Sequence, residues 1–329
     1  MKTPVTRAVS IVAAFAAALF SGASAAAQPF PQRPITIIVP SSAGGSLDHV
    51  ARLVSGSLSA RLGQPVVIEN VVGANGIIGT ERVVRAAPDG YTLLAGVDSQ
   101  IILAKLVTPS VVPYDAFKDL VPVGQLAVST MVLAGRPGLE ANTADELAAL
   151  IRKSPGKISY ASWGNGSAGH VVAEMIANRM GGSMLHVPYK GTGPIVVELA
   201  SGRVDVAVLP AILAVQAQKT APVKFYGVTN DQPWPLLKGV PTLGESPALK
   251  GFKYSVWYGL FAPTGTDPAI VERLSQALAE TLKEPAIEEK LRTSSSLPIA
   301  RTPADFAADL AWAQKETADV VKRANIKGE

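Results

Sequence analysis

No cysteine occurs in the 329-residue chain. That excludes disulfides, a thiolate metal site and a cysteine nucleophile. It also removes any cysteine that could carry a lipid at the end of a leader. Histidine is nearly as scarce, with only His49, His170 and His186. None of them lies near another histidine at metal-ligand spacing, and no HExxH helix, GxSxG elbow or GxxxxGK[ST] loop is present. Gly164-x-Gly166-x-x-Gly169 imitates a dinucleotide fingerprint. The acid required about 20 residues further on is missing, however, and the chain there reads LHVPYKG. There is no dense Lys/Arg run, so the electrostatic footprint of nucleic-acid binding is lacking too.

Long apolar runs are equally rare. The run at 8–20 follows Lys2 and Arg7 and precedes SGASAAA. It is short for a bilayer, which takes about 20 residues. The expectation is a secretory signal, 1–27, cut before Gln28. The mature protein would then be free in a bacterial periplasm, without a lipid anchor. No later segment is long and apolar enough to cross a membrane. Without Lys2 and Arg7 the balance is 28 basic against 26 acidic residues, close to neutral.

What is present is a repeated order of apolar strand, small-residue loop and amphipathic helix. ITIIV (35–39) runs through PSSAGGS into a helix with Val50, Leu53, Val54 and Leu58 at helical spacing. PVVIEN (65–70) runs through VVGANG into IIGTERVVRAA. KISYAS (157–162) runs through WGNGS into AGHVVAEMIANRM, and MLHVPY (184–189) through KGTG into PIVVELASG. YTLLAGV (91–97) and RVDVAVLP (203–210) add buried strands. This alternation predicts an α/β fold with parallel sheets covered on both faces. Roughly 300 mature residues suit two domains. The Val/Leu-rich stretch 119–135 reads as a strand leaving one domain for another, and VKFYGVTN (223–230) as the return. The expected division is 28–128 plus 229–329 for the first domain and 129–228 for the second. The last helical segments would cover the first.

Gly45-Ser46-x-x-His49-Val50 recurs as Gly166-Ser167-x-x-His170-Val171, each copy opening a helix after a strand. Helix N-termini carry unpaired amides and about half a positive charge. Two of them facing a cleft would hold a small carboxylate without an arginine, assisted by the hydroxyls of Ser41, Ser42, Ser46, Ser162 and Ser167. The competing reading makes these residues ordinary turn and cap positions. His170 and His186 are expected to shape their loop by hydrogen bonding rather than to catalyse. Asp48 either stabilises a helix start or receives a ligand group, and Asp205 has the same two readings. Trp163, in a glycine loop, either covers a ligand face or packs into its own domain.

These segments also carry a resemblance. PQRPITIIVPSSAGGSLDHVAR, GQPVVIENVVGANGIIGTERVVRAAPDGYTLL, PGKISYASWGNGSAGH, HVPYKGTGP, VPTLGE and WYGLFAPTGT occur in this order from about residue 32. Together they resemble the Bug or TctC family, the extracytoplasmic solute receptors of tripartite tricarboxylate transporters. The resemblance implies a two-domain clamshell of the type II-like periplasmic binding-protein class, each domain a mostly parallel sheet flanked by helices. A small carboxylate would be held in the cleft and delivered to integral membrane transporter subunits. It implies no catalysis, no cofactor and no metal, and we expect a monomer. A ligand sensor or a periplasmic hydrolase is the alternative, and a hydrolase would show turnover. Carried onto this chain, the family's grip falls on Ser41, Ser42, Ala43, Gly44 and Gly45 with Asp48. In the second loop it falls on Ser162, Trp163, Gly164, Asn165, Gly166 and Ser167. Asp98, Ser99, Thr130, Tyr189, Lys190 and Asp205 lie in segments that line the family's cleft. One departure stands out: an aromatic residue usually follows the proline of IVP, and here it is Ser41. If Trp163 replaces that aromatic face, an apolar or aromatic acid would be favoured.

Overall fold

The computed structural model describes residues 30–189 and 191–327. The expected signal at 1–27 lies outside the described residues. Ten strands, all within the unit Arg33–Glu329, form two five-stranded sheets. The first contains β1 (Ile35–Val39), β2 (Val66–Asn70), β3 (Thr92–Gly96), β4 (Leu120–Ser129) and β10 (Val256–Pro263), in the order β2-β1-β3-β10-β4. The second contains β5 (Met131–Gly135), β6 (Ser159–Ser162), β7 (Leu185–Pro188), β8 (Val206–Pro210) and β9 (Lys224–Val228), in the order β7-β6-β8-β5-β9. In both sheets the first three strands of that order pair in parallel, and the next strand pairs antiparallel on both sides. One strand of each five is therefore reversed, and each sheet is mostly parallel in direction, as expected.

The strands have the composition of sheets covered on both faces. Ile35, Ile37, Ile38 and Val39 are at most 1% exposed, and every residue of β5 is buried. Helix α1 (Ser46–Leu62) lays Leu47, Val50, Ala51, Val54, Leu58 and Leu62 inward, spaced three or four apart. It stops at Gly63, which takes the left-handed conformation and returns its amide to Ser59 O. Among the described residues, the other α-helices longer than four residues are α2 (Ile77–Val84), α3 (Ala144–Lys153), α4 (Ala168–Arg179), α5 (Ile195–Ala200), α6 (Ala211–Thr220), α7 (Pro268–Leu282), α8 (Pro285–Thr293) and α9 (Pro303–Arg323).

The chain passes between sheets at Thr130 and again between β9 and β10. The two passages are tied together. The Thr130 and Thr229 hydroxyls meet at 3.3 Å, Met131 N donates to Thr229 Oγ1 at 3.1 Å, and Thr229 N donates to Met131 O at 2.9 Å. The return segment packs on the second sheet's cores. Trp234, Leu237 and Val240 join Val132, Ala161 and Leu209, while Leu243, Leu249 and Phe252 join Leu133, Leu147 and Ile176. Asp145 accepts from Ser246 Oγ at 2.7 Å and Ala248 N at 2.9 Å, fastening this segment to α3.

Helix α9 belongs to both halves. Phe306 and Leu310 enter the core with Ile38, Leu94 and Phe261, but Val320 and Val321 enter the core with Val171 and Ile176 of α4. Gly259 makes the first contact possible, because a Cβ there would lie 2.7 Å from the Phe306 ring.

Candidate functional site

In an open α/β sheet, ligands bind beyond the carboxyl ends of the strands, where neighbouring connections diverge. In these sheets that point falls between β1 and β3 and between β6 and β8. The loops leaving those ends are 40–45 and 97–98 in the first sheet, 163–167 and the start of α6 in the second. A cavity of about 370 Å³ lies there, lined by Gly44, Ser46, His49 and Val50, by Ile212 of α6, and by Thr293, Ser294 and Ser296. The second half contributes Ile212 to this lining, and no residue of loop 163–167 is part of it.

The first loop is held from beneath by Asp48. Its buried carboxylate accepts from Gly44 N at 2.9 Å, Arg52 Nε at 3.0 Å and Asn70 Nδ2 at 2.9 Å. Burial opposes its charge, but the hydrogen bonds from Arg52, the Gly44 amide and Asn70 outweigh that and hold the carboxyl below its usual range. Asn70 also donates to Ser41 O at 3.0 Å. Asp48 therefore spends its acceptors on the loop, and Ser42, Ala43 and Gly44 stand exposed above it. Gly45 precedes α1 without any side-chain cap, so the first-turn amides of α1 have no capping oxygen from that residue. The Ser41 hydroxyl is buried and has no partner.

A neighbouring loop, 73–76, was not among the residues expected from sequence. Gly73, Ala74, Asn75 and Gly76 all have positive φ, at 130°, 45°, 52° and 92°. For Ala74 this conformation is costly, and such strain collects at functional sites. The loop sits against the end of β1, since a Cβ on Gly76 would lie 2.9 Å from Pro40 O. The GANG sequence signals a tight turn, but it does not reveal left-handed backbone at the alanine.

The second loop is built on its two histidines. Gly166 N donates to His170 Nδ1 at 3.1 Å, and Ser162 Oγ lies 2.6 Å from His186 Nε2. Ser167 Oγ donates to Gly164 O at 2.7 Å and caps α4 by accepting from His170 N at 3.3 Å. The two imidazoles stack with centroids 3.9 Å apart, and Tyr160 stacks on His186 at 4.9 Å. Burial, and then the neighbouring His186, push His170 down to about 4; burial also lowers His186. Both rings are neutral near pH 7 and act as hydrogen-bonding struts. Trp163 lies on its own half: a Cβ on Gly169 would come within 2.4 Å of its ring, which packs against the second sheet's cores. Gly164 and Gly166 both have positive φ, and Asn165 between them is exposed.

The remaining expected residues scatter. Thr130 is buried at the crossing. Asp98 is buried, accepts from the Tyr254 hydroxyl, and burial pushes its carboxyl up. Ser99 opens the π-helical turn Ser99–Leu103. Tyr189 donates its amide to Ser162 O at 2.8 Å and its hydroxyl to Glu198 at 3.3 Å. Lys190 lies outside the described residues. Asp205 stands at the start of β8, the opposite end of the sheet from Ser162. There its carboxylate accepts from Arg136 Nε at 2.8 Å and from Ser159 N and Oγ at 2.8 and 2.9 Å.

Comparison with known proteins gives one family. The family model of the tripartite tricarboxylate transporter family receptor, TctC, matches residues 50–325. Protein BugT of Bordetella pertussis is 33% identical over 324 residues, 98% of each chain. A solved R. palustris protein with adipate is 29% identical, with a TM-score of 0.75 over 91% of this chain and 100% of its own. MatC from Rhodopseudomonas palustris with bound malate is 32% identical, with a TM-score of 0.71 over 89% of this chain and 100% of its own.

Proposed function

The chain belongs to the tripartite tricarboxylate transporter receptor family, and on that premise we propose that it is a periplasmic solute-binding receptor. It captures a small carboxylate between its two halves and delivers it to the membrane subunits of a tripartite transporter, without catalysis. The observation that carries this reading is the arrangement of the loops: 40–45, 163–167 and the start of α6 leave the switch points of two sheets of like order, and a pocket beside the start of α1 takes Ile212 of α6 into its lining. The amides of α1, with the exposed Ser42 and Ser46 beside them, receive the carboxylate from the first side. Ser162, Gly164, Asn165, Gly166 and Ser167 approach from the second, with loop 73–76 as an added wall. Asp48, His170 and His186 position these loops. Asp205 is a structural anion.

The favoured ligand is a small aliphatic dicarboxylate. Trp163 is seated on Gly169, which leaves the first loop without an aromatic face. The relatives solved with malate and adipate carry ligands of this chemistry. For the domains, we place the second at 129 to about 252, because Trp234, Leu243 and Phe252 pack with its sheet. The first takes the rest of the mature chain.

A thermal-shift and calorimetric screen of malate, adipate, shorter monocarboxylates and aromatic acids tests the proposal. A true ligand at 100 times its Kd adds about 2.7 kcal/mol of stability. It should be recovered chemically unchanged. Turnover, or no saturable binding across the carboxylates, would sink this reading.

A further inference from the structure

The pocket beside the start of α1 has a wall that the strand-end loops do not supply. Thr293, Ser294 and Ser296 line it together with Gly44, Ser46 and His49. They belong to the run Thr-Ser-Ser-Ser in which α8 ends. The run closes the helix in a Schellman motif: Ser295 N donates to Arg292 O and Ser296 N to Leu291 O, both at 2.9 Å. Ser295 takes the left-handed position of that motif, at φ 56°, where glycine is usual. The fold holds this buried serine firmly. Ser129 Oγ donates to Ser295 O at 2.7 Å, and Leu297 and Val128 exchange amide hydrogen bonds at 2.8 and 2.9 Å. The wall is therefore fixed to the end of β4, beside the crossing at Thr130.

The chemistry of this wall follows from where its protons go. Thr293 Oγ1 donates to Lys290 O at 2.8 Å, and Ser294 Oγ donates to Leu291 O at 2.9 Å and Lys290 O at 3.2 Å. A hydroxyl has one proton and two lone pairs. With their protons turned back onto α8, Thr293 and Ser294 have only lone pairs left to offer. The start of α1 is of the other kind, because its uncapped amides are donors. The two lie close together. The Tyr258 hydroxyl is hydrogen-bonded to both Ser46 and Ser296, so those two serine oxygens stand within two hydrogen-bond lengths, roughly 6 Å. A carboxylate satisfies the amides but has no proton for the lone pairs. None of the lining residues is acidic, so an ammonium would find no counter-charge there. A neutral hydroxyl fits.

We propose that Thr293 and Ser294 are specificity-determining residues of this pocket, and that they select a carboxylate carrying a hydroxyl on the neighbouring carbon. The carboxylate accepts from the amides of α1, and the hydroxyl donates to the paired oxygens of Thr293 and Ser294. The inference rests on the receptor function proposed above and narrows its ligand class.

Malate and succinate share one skeleton and differ by that hydroxyl. Both malate enantiomers, succinate, adipate and aspartate, which has an ammonium in place of the hydroxyl, are titrated into the mature protein by calorimetry. One malate enantiomer should bind about tenfold more tightly than succinate, the equivalent of 1.4 kcal/mol, and more tightly than aspartate. Thr293→Val with Ser294→Ala keeps most of the side-chain volume but removes both oxygens. It should bring the ratio of malate to succinate affinity to within about twofold of one. A general loosening of the pocket would weaken both ligands and leave their ratio intact. If succinate or adipate binds saturably and neither malate binds more tightly, the inference is overturned while the receptor function stands. An unchanged ratio in the double variant, or aspartate binding more tightly than both malates, overturns it in the same way. If no carboxylate binds, the inference and the receptor function fall together. Should the double variant fail to fold, the native protein still decides, because a malate-to-succinate ratio near one rejects the selection.

Discussion

At the level of single residues, the acidic groups show why composition alone does not assign roles. Asp48 and Asp205 are both aspartates beside small-residue elements, yet each is consumed by protein donors. For Asp205 the main donor, Arg136, is 69 residues away in sequence, a distance no local motif reports. Asp48→Asn should lower carboxylate affinity by about tenfold and stability by about 1–3 kcal/mol, because Arg52 and the Gly44 amide lose an ionised acceptor. Calorimetry alongside urea unfolding checks both. Ser42→Ala should cost affinity without costing stability, since its side chain stands exposed in the first loop. A hydrogen bond to a charged group is worth about 1.5–3 kcal/mol, so the Kd should rise at least about tenfold. His170 supplies a pH dependence. Its folded value of about 4 lies below the ordinary 6.5, so below that value the unfolded chain binds a proton that the folded chain refuses. This stabilisation is complete above 6.5 and fades as pH falls toward 4. Thermal melts between about pH 7 and about pH 5 should therefore fall more steeply for the native chain than for His170→Gln, which keeps an acceptor near Gly166 but does not titrate.

Among the elements, the strands were legible because parallel strands buried on both faces read as apolar runs, as ITIIV and VAVLP do. Helix α4 was legible from its cap, Ser167, and the spacing that follows. The contribution of loop 73–76 was not, because a left-handed alanine follows from the packing of Gly76 under Pro40 rather than from propensity. The return segment was hidden for a related reason. Its proline-rich run 232–241 looks like a linker, and only the assembled second sheet offers Trp234, Leu237 and Val240 a surface to bury against. The two caps of the internal echo differ as well: Ser167 caps α4 with its hydroxyl, while Gly45 leaves α1 uncapped. Ser167→Ala should cost about 1 kcal/mol in chemical denaturation and loosen the second loop by removing the shortest of the hydrogen bonds to Gly164 O, leaving those from Ser162 Oγ and Ser167 N. If it leaves stability and carboxylate affinity both unchanged, the hydroxyl is not holding that loop.

For the molecule as a whole, the decisive connection is the one that periodicity alone did not show. Both chain crossings run side by side at Thr130 and Thr229, which by themselves would permit rotation about a narrow axis. Helix α9 adds a third link. Its 21 residues extend about 31 Å, long enough to seat Phe306 in one core and Val320 and Val321 in the other. Closure around a ligand must carry that far end along with α4 or slide it. Interfaces of this kind slide in small steps or break, since packed cores are not continuously deformable. Weakening the far contact should then free the ligand-free protein while leaving the closed form, which the ligand itself holds, nearly unaltered. Val320→Ala with Val321→Ala removes buried methyl groups from that contact without touching the pocket. Small-angle scattering should show a larger radius of gyration for this variant than for the native chain when no ligand is present. The two profiles should converge once malate, or another carboxylate shown to bind, is saturating. Ligand-free profiles that superimpose would mean that α9 does not restrain the two halves, and that the crossings at Thr130 and Thr229 set the resting angle alone.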